Sequence, residues 1–279
     1  MLITSTAQGT RDADWLARNM RPEEFVTCAD VTSAYSVLSL MGPKARALLS
    51  TVTTESLDNE IFPFGTSKVI DLGYATVRAN RITYVGELGW ELYVPTEMTA
   101  YVYEQLSQAG EGFGLKDAGY YAIDSLRLEK GFRAWGAELS PDWTPYECGL
   151  GFAVKLKKEV DFIGKKALVA SKKAAAAGGQ GTPGKDRQLM LFTIDDADAF
   201  PWGGEPVVSD GATVGYVTSA AYGHSVGRGV VFAMIKGNNA GTFGAPSSKK
   251  FEIEINGMMH GLTYCAKPPY DPSSSNVKV

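Results

Sequence analysis

Glu91 and Tyr93 are the residues whose spacing first suggests chemistry. They lie in the run Thr83-Tyr84-Val85-Gly86-Glu87-Leu88-Gly89-Trp90-Glu91-Leu92-Tyr93-Val94-Pro95, where two glycines bracket an acidic residue in a tight connection. From Trp90 to Val94 the run alternates as a strand does, which puts Glu91 and Tyr93 on one face. A carboxylate held beside an aromatic ring suits a planar heterocycle with adjacent N–H donors, because an ionised carboxylate accepts two parallel hydrogen bonds. The same residues also read as an ordinary hairpin with Glu91 in solvent.

A second group lies in IDSLRLEKGFRAWGAEL, where Arg127 and Glu129 sit on a helix that runs out at Gly131. Arg127 follows Asp124 at the i,i+3 spacing of a local helical ion pair. The alternative is that its guanidinium faces a cleft and binds a carboxylate through its bidentate fork. Cys148, in YECGLG, has no histidine nearby and reads as a buried structural thiol. His224 falls in a hairpin or loop and has few catalytic partners around it. Two histidines and three widely separated cysteines, with no C-x-x-C, exclude a zinc knuckle, a histidine-rich metal site and a disulfide framework. Gly179 to Gly184 spells G-x-G-x-x-G, yet it follows an alanine-rich helix instead of a strand, so it reads as linker and not as a dinucleotide site.

The elements that must position these groups are mixed. RDADWLARNM predicts a helix, and FVTCADVT followed by AYSVLSLMG predicts two strands meeting at a turn. GPKARALLSTV and TEMTAYVYEQLSQAG predict helices on either side of the strands in SKVIDLGYATVRANRITYVG, and residues 117–132 predict another helix with Asp117 as its cap. The run SPDWTPYECGLGFAVKLKKEVDFIGKKAL predicts a Pro-punctuated loop, a short strand and a helix start at Phe162-Ile163-Gly164. Beyond the break at residues 172–187, six short alternating segments (QLMLFTI, GEPVVS, TVGYVTSA, GRGVVFAMI, KKFEIEING, MMHGLTYCA) predict a small antiparallel barrel or sandwich. Irregular alternation of strand and helix favours α+β over a doubly wound sheet.

The chain has 279 residues, enough for one large or two ordinary domains at roughly 100–200 residues each. A net charge of -4 argues against extended binding to nucleic acid. Arg11, Asp12 and Asp14 interrupt any secretory peptide, and Val230 to Ile235 falls far short of the roughly 20 apolar residues a membrane span needs. These features point to a soluble, cytoplasmic protein with reduced thiols.

Three blocks, YVGELGWELYVP, then AIDSLRLEKGFRAWGAELSPDWTPYECGLGFAVKLKKEVDFIGKKAL, then GYVTSAAYGHSVGRGVVFAMI, resemble in order and approximate spacing the glycine-cleavage T-protein (aminomethyltransferase) family. The likeness is strongest to the folate-binding C-terminal half of dimethylglycine and sarcosine dehydrogenases, and it covers nearly the whole chain. The resemblance implies an α+β folate-binding fold followed by a small C-terminal β-barrel. It divides the chain into a partial aminomethyltransferase-like domain at 1–170, a linker at 171–187, a barrel at 188–268 and a tail at 269–279. It implies that Tyr84 and Glu91 contact folate, Glu91 pairing with the pterin, and that Arg127 lies near it. The chain resembles a form shortened at its N-terminus, without the aspartate segment that acts at folate N10, so no residue is assigned as catalytic.

The implied function is capture of a one-carbon unit as 5,10-methylenetetrahydrofolate in a demethylating system of the dimethylglycine/sarcosine type. Tetrahydrofolate is the implied cofactor, and FAD belongs only to an upstream domain or a flavoprotein partner. The alternatives are a non-catalytic folate-binding or assembly module that needs such a partner, and a glycine-cleavage T-protein proper.

Overall fold

The computed structural model describes residues 1–176, 187–236 and 250–279. The chain separates into two compact units, one made of Met1–Thr83, Glu87–Lys116 and Val277–Val279, the other of Tyr84–Gly86 and Asp117–Asn276. The G-x-G-x-x-G run at 179–184 lies outside the described residues.

The first unit is built on a four-stranded antiparallel sheet in the order β1-β4-β3-β2, with β1 at Tyr35–Met41, β2 at Ser67–Leu72, β3 at Ala75–Asn80 and β4 at Gly89–Pro95. The period of two sorts its side chains. Leu40, Ile70, Leu72, Val77, Ala79, Trp90, Leu92 and Val94 enter one core. Helices α2 (Ala45–Leu49) and α3 (Thr99–Gly110) cover that core through Leu48, Leu49, Val102 and Leu106. Each such fully buried side chain contributes about 1.5–3 kcal/mol. Trp90 is wholly buried and meets Phe62 edge-on, with ring centroids 6.1 Å apart.

Two glycines explain the spacing of the first motif. Gly86 has φ +80° with the Lys130 side chain pressed against it, so both its backbone and its surroundings exclude a side chain. Gly89 opens β4 directly over Leu40 and Met41 of β1, where a Cβ would enter the neighbouring strand.

Ahead of the sheet, α1 (Gly9–Asn19) forms where helical spacing predicts it and buries none of its residues. The strand expected over 25–32 does not form. The Asp30 carboxylate accepts the Thr32 backbone N–H, a local turn that competes with an extended ladder, and β1 pairs with β4 instead.

In the second unit, α4 (Tyr120–Glu129) packs on a closed barrel of order β10-β5-β8-β7-β6-β9. The six predicted segments supply its strands: β5 Arg187–Ile194, β6 Pro206–Ser209, β7 Ala212–Gly223, β8 Arg228–Lys236, β9 Phe251–Ile255 and β10 Met258–Tyr264. The interior holds Phe192, Ile194, Val217, Val231, Ala233, Ile235 and Ile253. On the outer face of β5 and β8, Leu128 of α4 packs with Leu189, Leu191, Val230, Phe232 and Met234. Strand β8 is therefore buried on both faces, which is why it reads as a continuous apolar run.

Two local expectations are corrected here. The N-cap of α4 is Gly119, whose carbonyl accepts the N–H groups of Ala122 and Ile123, and not Asp117. The short strand expected between Ser140 and the start of α5 (Lys165–Ala176) is a series of turns with a 3-10 turn at Gly151–Ala153.

The residues that composition presents as a tail are tied down. Lys130 donates its Nζ to the Asp271 carbonyl oxygen at 2.6 Å and to its carboxylate at 2.8 Å, with both side chains almost fully buried. Burial alone would raise the Asp271 carboxyl. Hydrogen bonds from Lys130, Ser275 and Asn276 outweigh it and hold the group well below the usual carboxylate range. A carboxyl depressed on folding contributes stability above its unfolded pKa of about 3.9, and that contribution fades as pH falls below it. Lys130→Met should therefore cost on the order of 3–5 kcal/mol at neutral pH, and the deficit should shrink below about pH 4. Urea unfolding of both proteins across that range measures it.

Candidate functional site

Strand β4 delivers the first candidate residue. Pairing aligns Ser39 of β1, Glu91 of β4, Asn80 of β3 and Ser67 of β2 in one cross-strand row, on the face opposite the core. Tyr93, two residues along the same face, donates its hydroxyl hydrogen to Glu91 Oε2 at 2.8 Å. Burial and the adjacent Glu91 carboxylate push the Tyr93 phenol well above its ordinary value, so it stays a donor, while a hydrogen bond with Asn80 pulls the other way. The shared face expected from alternation is present, with Glu91 half-buried and oriented by its neighbour.

Asn80, opposite Glu91, also lines a cavity of about 390 Å³ in the same unit. Ser67, Arg78 and Ile82 contribute to its wall, together with Met1 and Ile3. Arg78 donates to the Ser67 hydroxyl at 3.3 Å. This cavity combines an amide, a hydroxyl and a guanidinium with apolar groups, beside a carboxylate fixed by a phenol. Such a set can grip a heterocycle that presents both donors and acceptors.

In the second unit Tyr84 donates its hydroxyl hydrogen to the Arg133 carbonyl at 2.9 Å and stacks on Phe132, with rings 6.2 Å apart and inclined by 10°. Burial lifts its phenol, against the pull of the Arg127 charge. Arg127 is 3% exposed and commits four N–H donors to protein: Asp124 at 3.1 Å, Glu138 at 3.0 Å, the Phe132 carbonyl at 3.2 Å and the Ser219 hydroxyl at 2.9 Å. The i,i+3 ion pair with Asp124 is thus formed, within a larger buried network.

Glu138 anchors that network and was not singled out by sequence. It is fully buried, and it accepts the Arg127 guanidinium, the Ala134 backbone N–H at 2.9 Å and the Thr218 hydroxyl at 2.7 Å. A bulge in β7 at Val217/Ser219 lets two successive residues, Thr218 and Ser219, address the same charge pair. Nothing in the local spacing around Glu138 signals this role, because its two side-chain partners, Arg127 and Thr218, lie 11 and 80 residues away.

Glu129 is a second buried carboxylate, whose Oε1 accepts the N–H groups of Ser225 and Val226 at 2.6 and 2.9 Å. It fixes the β7–β8 turn that carries His224, whose ring meets Tyr222 edge-on. Cys148 donates its thiol to the Glu138 carbonyl at 3.1 Å, and burial pushes that thiol up to about 11. Its structural role follows. Under native conditions a thiol-specific disulfide reagent should modify exposed Cys28 quickly and Cys148 only on unfolding, as counted by mass spectrometry of the labelled protein.

Among the described residues no group of His, Cys, Asp and Glu could hold a metal ion, and no helix is long and apolar enough to cross a membrane. Residues 1–158 match the model of the GCVT N-terminal domain, and residues 187–271 match that of the glycine cleavage T-protein C-terminal barrel domain. Mouse mitochondrial dimethylglycine dehydrogenase is 39% identical over 236 residues, covering 84% of this chain and 26% of the relative. Human mitochondrial sarcosine dehydrogenase is 37% identical, covering 89% of this chain and 26% of the relative. The chain thus spans about a quarter of the length of these relatives. The crystal structure of glycine cleavage system aminomethyltransferase T from Bartonella henselae shares the fold, with a TM-score of 0.77 at 22% identity over 95% of this chain and 67% of that one. With more than half its length matched by one family model and its barrel by another, the chain belongs to the glycine-cleavage T-protein (aminomethyltransferase) family.

Proposed function

We propose that this chain binds tetrahydrofolate and serves as the one-carbon-capturing part of a dimethylglycine/sarcosine-type demethylating system. The observation that carries the reading is the Glu91 carboxylate, oriented by Tyr93 and set opposite Asn80, which itself lines a cavity. A pterin ring carries an amino group and a ring N–H side by side, the donor pair that a carboxylate accepts through two parallel bonds. Arg78, Asn80 and Ser67 supply both donors and acceptors for the rest of such a ring. The residues therefore fit the group.

When bound, tetrahydrofolate supplies two amine nitrogens that take up a formaldehyde carbon as a methylene bridge, with loss of one water. The chain's own contribution is to hold the pterin and keep water away, so proximity is its main effect. Oxidation of the N-methyl amine falls to a flavoprotein, either a further domain or a separate subunit, and FAD resides there. Tyr84 and Arg127 stand in the proposal as further folate residues, on the strength of the family motif. Three unpaired cysteines support a reducing, cytoplasm-type compartment.

Isothermal titration with tetrahydrofolate tests the reading. Saturable binding is expected, and Glu91→Gln should weaken it by roughly 10–100-fold, the worth of a charged hydrogen-bonded pair. Tyr93→Phe should weaken it less, because the carboxylate keeps its charge and loses its orientation. Mixing without heat at high micromolar concentration would overturn the proposal. Binding without faster methylenetetrahydrofolate formation in the presence of a flavoprotein partner would favour a folate-holding module instead.

A further inference from the structure

The amide of Asn80 has one orientation open to it. Asn80 sits directly opposite Glu91 in the cross-strand row, lines the cavity and shares a hydrogen bond with the Tyr93 phenol. That phenol has a single hydrogen, which it donates to Glu91 Oε2 at 2.8 Å, and a carboxylate has none to give back. The phenol oxygen can therefore only accept from Asn80, so the amide must turn its NH2 group toward Tyr93. The effect on Tyr93 has the matching sign, because a donated hydrogen favours the phenolate and works against the upward pull of burial and Glu91.

The consequence falls on the other end of the amide. With Nδ2 committed to Tyr93, the carbonyl Oδ1 is the side-chain oxygen that Asn80 offers to a ligand in the cavity. Turning the amide over would set two acceptors against each other. Asn80 and Tyr93 are 9% and 5% exposed, so little water could relieve that clash. Glu91 and Asn80 thus present acceptors side by side, both fixed by the one phenol.

The oxidation state of a pterin changes what it shows to such a pair. The amino group and ring N–H that suit Glu91 are present whether the pterin is reduced or not. In its second ring, N5 and N8 carry hydrogen in tetrahydrofolate and are bare acceptors in folic acid. A fixed carbonyl oxygen gains a bond from the first and meets a lone pair on the second.

Resting on the reading that this chain binds folate, we propose that Asn80 selects reduced over fully oxidised folate by holding its carbonyl oxygen toward a ring N–H. Tyr93 is the positioning residue that locks the amide in that orientation.

Isothermal titration of the wild type, Asn80→Leu and Tyr93→Phe, each with tetrahydrofolate and with folic acid, tests this. The wild type should prefer tetrahydrofolate by roughly tenfold or more. Asn80→Leu has no acceptor, so it should lose roughly tenfold toward tetrahydrofolate and nothing toward folic acid. Tyr93→Phe keeps Asn80 and frees its amide to turn, so folic acid should bind more tightly and the preference should narrow. A purely structural role for Tyr93 would weaken both ligands alike. Equal losses for the two ligands in Asn80→Leu, or an unchanged preference in Tyr93→Phe, would overturn the assignment and leave the folate reading standing. A wild type that binds neither ligand would overturn the folate reading itself, and this proposal with it.

Discussion

A strand that is paired on both sides and buried on one face has no freedom in where its other side chains go. Strand β4 is in that position, hydrogen-bonded to β1 and β3 and committing Trp90, Leu92 and Val94 to the core. A register slip by one residue would send those three into solvent and Glu91 into the core, at a cost of several kcal/mol in lost burial and buried charge. The hydrophobic effect on one face thus fixes Glu91, Tyr93 and the opposing Asn80 on the other. The candidate site is a consequence of the packing, and the glycine at 89 lets β1 pass close to the start of β4 for that pairing.

The second unit shows the same economy with charge. Arg127 and Glu138 are both buried, and each is surrounded by hydrogen-bonding groups from the loop after α4 and from β7. Such a pair stabilises only if its lone pairs and protons are satisfied, and the β7 bulge supplies two hydroxyls for that purpose. Arg127 therefore has a structural occupation that accounts for its position on α4, whatever it adds to ligand recognition. Glu129, two residues after Arg127 and also buried, holds the β7–β8 turn by accepting two backbone N–H groups on one oxygen.

Much of this was legible in the residues. The six barrel strands follow from alternation bounded by Gly, Pro and Asn, and α3 and α4 from apolar spacing, because those signals are local. Glu91 and Tyr93 were legible for the same reason. The failures are non-local. Residues 25–32 alternate but pair with no strand among the described residues, and a local side-chain turn wins. Glu138 draws its partners from Arg127 and from Thr218, 80 residues further on, so its role depends on a tertiary register that no window reveals. Residues 269–279 look like a tail by composition, while their anchoring depends on Lys130 in one unit and on Arg46 and Arg81 in the other.

The central claim is that the β4 face presents a carboxylate to a pterin. A crystal structure of the chain soaked with a stable reduced folate tests it most directly. The account predicts the pterin within hydrogen-bond distance of the Glu91 carboxylate, with the Tyr93 bond to Oε2 retained. A folate bound in full occupancy away from Glu91 would contradict it.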